Sequence, residues 1–417
     1  MKTIVVIPDN GGVEYYRLKS PFDALSQKGL DVIYIDRIGT VAKNETDEVN
    51  VDELLKDVST VWFSRVLDKY GKHQEVADRI HKAGAKIVLD IDDFWKLPPD
   101  HVLSYTYKKY NATAQIEQCI KLADMVVTTH SLLASEIERI NPNVVIVPNA
   151  IPQDKQFERR PTKSDKIRFG WVGGICHLED VKLLQSTFNK LYRSELKHKV
   201  QIFLCGYTRD TNRKMIDKSG RTWDVPVDKE TYNQYEKIFT ADYMLRPEYV
   251  KYLNQMSVTP DKEIEFDNEI YQRRWGREIT NFATFYNEFD VALAPLKENY
   301  FNRCKSELKA IEAGWMGKAV IASNIHPYTN ILNESNSCLV KGNDWMKHIR
   351  KLTTQHNFRN DIADRLYEDV VSNYDLEKVN RTRIQILNHY EAETSRTRLP
   401  ERNIEQERSQ ETENSKT

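Results

Sequence analysis

The chain has 417 residues, with 61 Lys and Arg against 62 Asp and Glu and a formal net charge of −1. At about 100–200 residues per domain, that length predicts two or three domains, each large enough to bury a core. The balanced charge lacks the basic footprint that bulk nucleic-acid binding requires, so no nucleic-acid partner is expected.

The opening MKTIVVIPDNGG carries an apolar run too short for a secretory signal, and no later stretch reaches the roughly 18 apolar residues of a membrane span. A cytoplasmic protein is expected, able to touch the inner face of a membrane peripherally. Short apolar runs then alternate with helical stretches: TIVVIP (3–8), DVIYID (31–36), TVWFSR (60–65), KIVLDID (86–92), DMVVTT (124–129) and NVVIVPN (143–149). Runs that are apolar throughout, rather than alternating, are those of parallel strands buried on both faces. Strand–helix alternation of this kind predicts a doubly wound α/β domain. The Pro-rich, charged 148–166 reads as a linker. A second α/β series follows in IRFGWVGG (167–174), VQIFLCG (200–206), DVALAPL (290–296), AVIAS (319–323) and SCLVKG (337–342). Between Gly206 and Asp290 lies a polar, Tyr-rich segment too long for a loop, read as an insertion with helices. After Tyr390 almost no apolar residue remains, and a disordered tail is expected. Five cysteines, Cys119, Cys176, Cys205, Cys304 and Cys338, have no CxxC spacing and read as buried thiols in a reducing compartment.

Four stretches carry residues suited to chemistry. Gly11 and Gly12 follow the first strand and precede a helix, where backbone amides favour anionic or polar ligands; a plain tight turn is the alternative. The full GxGxxG pattern is absent, which argues against a dinucleotide cofactor. In VLDIDDFW, Asp92 and Asp93 fall at the carboxyl end of a strand, the edge that faces ligands in open α/β sheets. A carboxylate there can orient or deprotonate an acceptor hydroxyl. A metal role is the weaker reading, since no further ligand set stands near, and helix capping is the structural alternative. His101 can reach the same crevice. Gly173 and Gly174, with His177 beside them, form a second strand-to-helix loop suited to a diphosphate or sugar. In FNRCKSELKAIEAG (301–314), Ser306 reads as an N-cap with the helix starting at Glu307, Lys305 as a phosphate partner and Glu312 as an acceptor for a ribose diol. An amphipathic helix with Lys309 and Glu312 as a solvated pair is the alternative.

The chain resembles a GT-B glycosyltransferase, close to the retaining glycosyltransferases of bacterial surface-polysaccharide biosynthesis (the family 4, group 1 type). The resemblance covers about residues 1–390 and rests on DIDDFW, VVIVPNAIP, GWVGGICHLEDVKLL and FNRCKSELKAIEAGWMGKAVIAS. It implies two Rossmann-like doubly wound domains facing a central cleft. These are an acceptor domain over 1–153 and a donor domain over 154–373 with its insertion at 207–289. A helix over 374–391 crosses back and a polar tail spans 392–417. The implied activity is metal-independent transfer of a sugar from a nucleotide-diphosphate sugar to a glycan, lipid-linked or protein-linked acceptor, with retention of configuration. No cofactor is implied beyond the nucleotide sugar, which is substrate. Glu312 matches the second of the family's paired glutamates. Cys304 stands where the first belongs, and Ile175–Cys176–His177 where an arginine is usual. A nucleotide-sugar epimerase on the same fold, or a catalytically inactive nucleotide-sugar-binding scaffold, are the competing readings.

Overall fold

The computed structural model describes residues 2–38, 51–68, 70–161, 164–207, 212–216, 222–226, 229–241 and 269–393. The chain divides into two compact units. The first comprises Met1–Trp95, Tyr107–Ala150 and Leu376–Thr417; the second comprises Lys96–Thr106 and Ile151–Asp375. The fold class is α/β, with one six-stranded parallel sheet in each unit.

The first unit contains β1 (Lys2–Val6), β2 (Asp31–Ile35), β3 (Val58–Ser64), β4 (Lys86–Ile91), β5 (Met125–Thr128) and β6 (Val144–Ile146), in the spatial order β2-β1-β3-β4-β5-β6. Ile4 of β1 pairs with Ile33 on one side and Val61 on the other. All seven residues of β3 are buried, as a central strand covered on both faces must be. Val5, Leu18, Phe22, Trp62, Val88 and Val127 form one core layer, joined by Leu376, Val379, Ile386, Leu387 and Tyr390 from the helix over 376–393. Ile384 of the same helix faces outward, 38% exposed. The buried Arg17 reaches Asp90 with Nε at 2.7 Å and Nη2 at 3.1 Å, and donates from Nη1 to the carbonyl of Val147. This pair ties the helix after β1 to the middle of the sheet.

The second unit contains β7 (Ile167–Val172), β8 (Val200–Tyr207), the hairpin β9 (Asn212–Ile216) and β10 (Thr222–Pro226), β11 (Tyr271–Trp275), β12 (Val291–Ala294), β13 (Ala319–Ser323) and β14 (Cys338–Val340). The six-stranded order is β11-β8-β7-β12-β13-β14. The segment read as an insertion thus supplies the edge strand β11. Its sequence, YQRRW, looks polar, yet all five residues are buried. Arg273 is neutralised by Glu236 at 2.6 Å, Arg274 by Glu288 at 3.1 Å, and the Tyr271 phenol also donates to Glu236. Buried charges paired in this way do not register in an apolar pattern. Among the described residues no helix is long and apolar enough to cross a membrane. The tail from residue 394 and most of 207–268 lie outside the described residues.

Candidate functional site

In the first unit, polar groups gather at the carboxyl ends of three adjacent strands, β1, β3 and β4. Beyond β1, the Gly11 amide donates to Asp9 Oδ1 at 2.7 Å. A side chain at Gly11 would lie 2.7 Å from that oxygen and 2.9 Å from Glu14 Oε2, so the space above Gly11 is taken by two carboxylates. Gly12 is exposed at the start of the following helix. Glu14 accepts a 2.8 Å hydrogen bond from Ser64 Oγ at the end of β3. Burial raises its pKa, and the neighbouring Asp9 adds to the rise against the pull of Ser64. Past β4, Asp92 and Asp93 face Arg65, whose Nη2 is 3.6 Å and 3.9 Å from their nearest oxygens. The Asp92 side chain is 14% exposed, and its buried Oδ1 has no hydrogen-bond partner. Burial and the adjacent Asp93 push its pKa up to about 7, against Arg65 and Arg17. Asp90, the remaining acid of this stretch, is committed to Arg17 and is unavailable to a ligand.

His101 falls in the second unit, whereas Asp92 and Asp93 belong to the first. Its ring packs edge-on against Phe301 with centroids 5.2 Å apart, and Nδ1 accepts from the Leu103 amide. Both rings line a crevice of about 110 Å³, partly open to solvent, together with Cys176, Asp180, Lys297 and Asn302.

Next to that crevice, at the carboxyl ends of β7, β8 and β12, the sequence brings its glycine loop and its basic helix together. Gly174 is open, with no atom within 4 Å of where a side chain would begin. Gly173 is packed beneath Trp171 and 3.3 Å from Lys309 Nζ on the same measure. Gly206, at φ +98°, brings its Cα against the Gly173 carbonyl, where any side chain would sit 2.4 Å from that oxygen. Only glycine accepts both this contact and this backbone angle. The phenol of Tyr235 donates to the loop carbonyls at Gly174 and Ile175 and accepts from the His177 amide at 3.0 Å. His177 donates from Nδ1 to Asp180 Oδ2 at 2.9 Å. Burial, then Lys309 and Lys305, push its pKa down to about 4 despite Asp180, so the imidazole is neutral near pH 7. Asp180 is buried and also accepts from the Lys297 amide and from Asn302 Nδ2.

The helix that carries the basic motif is Leu308–Trp315. Ser306 does not cap it. A preceding turn, Tyr300–Arg303, is capped by Asn299, and the first helical hydrogen bonds, from Ala310 and Ile311, run to the carbonyl of Glu307. Glu307 is therefore the N-cap residue. Lys309 and Glu312 are not a solvated pair. Lys309 donates to the Val172 carbonyl at 2.8 Å, and burial with the nearby Lys305 pushes its pKa down to about 8 against Glu312 and Asp180. Glu312 is buried and accepts a 2.9 Å hydrogen bond from Tyr286. Lys305 is half-buried, with its Nζ 5.0 Å over the Phe301 ring. The arrangement groups two lysines, an open glycine loop and a buried carboxylate held by a phenol at the ends of these strands. Tyr235, Tyr286 and Gly206 carry no signal in the sequence, and Lys309 shows there only as half of a solvated pair; its contact with the Val172 carbonyl appears once strand β7 is in place.

No protein-family model matches the sequence, and no curated protein matches it. Solved structures do match in fold. Sucrose-phosphate synthase of Thermosynechococcus elongatus superimposes with a TM-score of 0.60 at 12% identity, over 94% of this chain and 100% of that one. A glycosyltransferase from Rickettsia africae ESF-5 gives 0.56 at 14% identity, over 93% and 98%. HepE of Anabaena, in complex with UDP, gives 0.54 at 13% identity, over 93% and 100%. The chain thus has the GT-B fold of these glycosyltransferases.

Proposed function

We propose that the protein is a glycosyltransferase that moves a sugar from a nucleotide-diphosphate sugar to a hydroxyl of a glycan, lipid-linked or protein-linked acceptor in polysaccharide biosynthesis. The observation that carries this reading is the second-unit constellation of Lys305, Lys309, the open Gly174 loop and the Tyr286-anchored Glu312. Phosphate charge would be met by the two lysines and by loop amides, and the ribose diol by Glu312. The structural neighbour HepE has been solved with UDP and with UDP-glucose, which supports the same substrate class here. The acceptor oxygen bonds to the anomeric carbon on the face from which the phosphate departs, as the bond from that carbon to the phosphate oxygen breaks and the nucleoside diphosphate leaves with the electron pair. Glu312 binds donor in this reading; the chemistry on the acceptor side falls to Asp92, whose ionised carboxylate accepts the hydrogen of the attacking hydroxyl. Asp93 stands beside it, and His101 lies on the wall of the second unit's crevice. Retention of configuration, independence of metal ions, and a cytoplasmic setting with peripheral membrane contact for a lipid-linked acceptor complete the proposal. Asp90 supports metal independence, because its ion pair with Arg17 removes it from any paired-aspartate grip.

A thermal-shift screen against nucleoside diphosphates and nucleotide sugars tests it. A specific donor at 100 times its Kd adds about 2.7 kcal/mol of stability. No shift with any member of the panel would refute the reading. Product analysis by NMR then reports the anomeric configuration, and turnover in EDTA reports the metal question.

A further inference from the structure

We propose that Arg65 is a positioning residue that keeps the Asp92 carboxylate charged and ready to accept a hydrogen. The inference deepens the acid–base reading of Asp92 and rests on it for its catalytic meaning. Arg65 sits at the centre of a tight turn that closes β3: the Val66 amide donates to the Ser64 carbonyl at 2.6 Å, and Arg65 has φ +57°. A three-residue turn with positive φ at its centre is rare and strained for a residue with a side chain, and glycine would adopt it freely. Strain retained at the carboxyl edge of a sheet is a pointer to function. What the arginine supplies there is its charge. Its Nη2 lies 3.6 Å from Asp92 Oδ1, the buried oxygen with no hydrogen-bond partner, and 3.9 Å from Asp93 Oδ2.

The other charges facing Asp92 do not replace it. Asp90 and Asp93, on the same strand and its extension, oppose ionisation, and Arg17, from the helix after β1, is engaged with Asp90 at 2.7 Å. Facing Arg65 are Asp92, Asp93, Glu14 and Tyr107. Of these, Glu14 is bound by Ser64. Burial and Asp93 already bring Asp92 up to about 7, so loss of the arginine would carry its titration above neutrality.

The test is a carboxyl-carbon NMR titration of the full chain labelled at aspartate, with the Asp92 signal assigned by its loss in Asp92→Asn. It is run on wild type and on Arg65→Gly, Arg65→Asn and Arg65→Lys. Glycine and asparagine tolerate positive φ, so these variants should fold, and circular dichroism melts verify that they do. In Arg65→Gly and Arg65→Asn the Asp92 midpoint should rise by about one pH unit or more, a tenfold change in its dissociation constant. In Arg65→Lys, which keeps a charge, it should rise less. An unchanged midpoint in folded Arg65→Gly would overturn the proposal. No substrate is needed for this result, so it separates from the function: a fully active Asp92→Asn enzyme would remove the acid–base reading, while a shifted midpoint would still support the control of Asp92 by Arg65.

Discussion

The phenol of Tyr286 donates a 2.9 Å hydrogen bond to Oε2 of Glu312, and both groups are buried. Burial, then the Glu312 charge and hydrogen bond, hold the phenol well above its ordinary pKa, so it stays a donor at any physiological pH. One carboxylate oxygen is therefore pinned by the protein. Replacing Glu312 by alanine would strand the phenol in the core as well as remove the proposed diol contact, so glutamine is the cleaner probe. Glu312→Gln is expected to weaken nucleoside diphosphate binding by roughly 1.5–3 kcal/mol, about 10- to 150-fold. Tyr286→Phe, which only loosens the carboxylate, is expected to cost less. Calorimetry on both variants checks the order.

With Lys309 at the donor's phosphates, as proposed, donor binding should depend on pH. Its pKa lies at about 8, so its charge is present at pH 7 and lost as pH rises through 8 and beyond. Affinity for a nucleoside diphosphate is expected to fall between pH 7 and pH 9.5. In Lys309→Met the affinity should be lower at pH 7 and nearly flat over the same range. Calorimetry at the two pH values makes the comparison, and a wild-type affinity independent of pH would count against the assignment.

Asp92 should trade stability for turnover. Its pKa stands at about 7 in the fold against an ordinary 3.8. A raised carboxyl value means that ionisation costs the folded state: the penalty is absent below about pH 3.8, grows as pH rises, and is complete above 7. Asp92→Asn is expected to match wild type near pH 4 and exceed it at pH 8 by roughly 1–3 kcal/mol. Turnover should fall by about 10²–10⁴-fold if the carboxylate takes part in proton transfer. Denaturant melts at the two pH values, alongside a transfer assay, test both halves.

The helix over 376–393 should be indispensable to the first unit. Leu376, Val379, Ile386, Leu387 and Tyr390 belong to its core, and Lys86 reaches Glu393 at 2.9 Å. A chain ended after Glu393 is expected to fold and bind donor. A chain ended at Asp375 removes five buried apolar side chains at roughly 1.5–3 kcal/mol each, more than a typical domain can lose. Circular dichroism melts and donor calorimetry on both truncations decide the matter.

The alternation of apolar runs carried the two parallel sheets into view, because strands covered on both faces leave an unbroken apolar signature. Strand β11 escaped since its two arginines are neutralised by Glu236 and Glu288, partners 37 and 14 residues away. The basic helix and the glycine loop were legible as motifs, yet Ser306 was misread because the turn capped by Asn299 displaces the helix start. Lys309 looked like a surface residue of an amphipathic helix; its contact with the Val172 carbonyl depends on strand β7, far away in sequence. Arg65 gave no local signal at all, since a strained backbone angle leaves no trace in residue type when the side chain is the reason for it.

Neither unit is a continuous stretch of chain, which passes from one to the other after Trp95, Thr106, Ala150 and Asp375. During synthesis the bulk of the second unit therefore leaves the ribosome while the first still lacks its closing helix. At about 5–20 residues per second, the nascent first unit waits some tens of seconds with Trp62, Phe22 and Val88 incompletely covered. A chaperone-binding window confined to that interval follows from the order of the chain, and ribosome-bound nascent chains stalled shortly before residue 376 would display it.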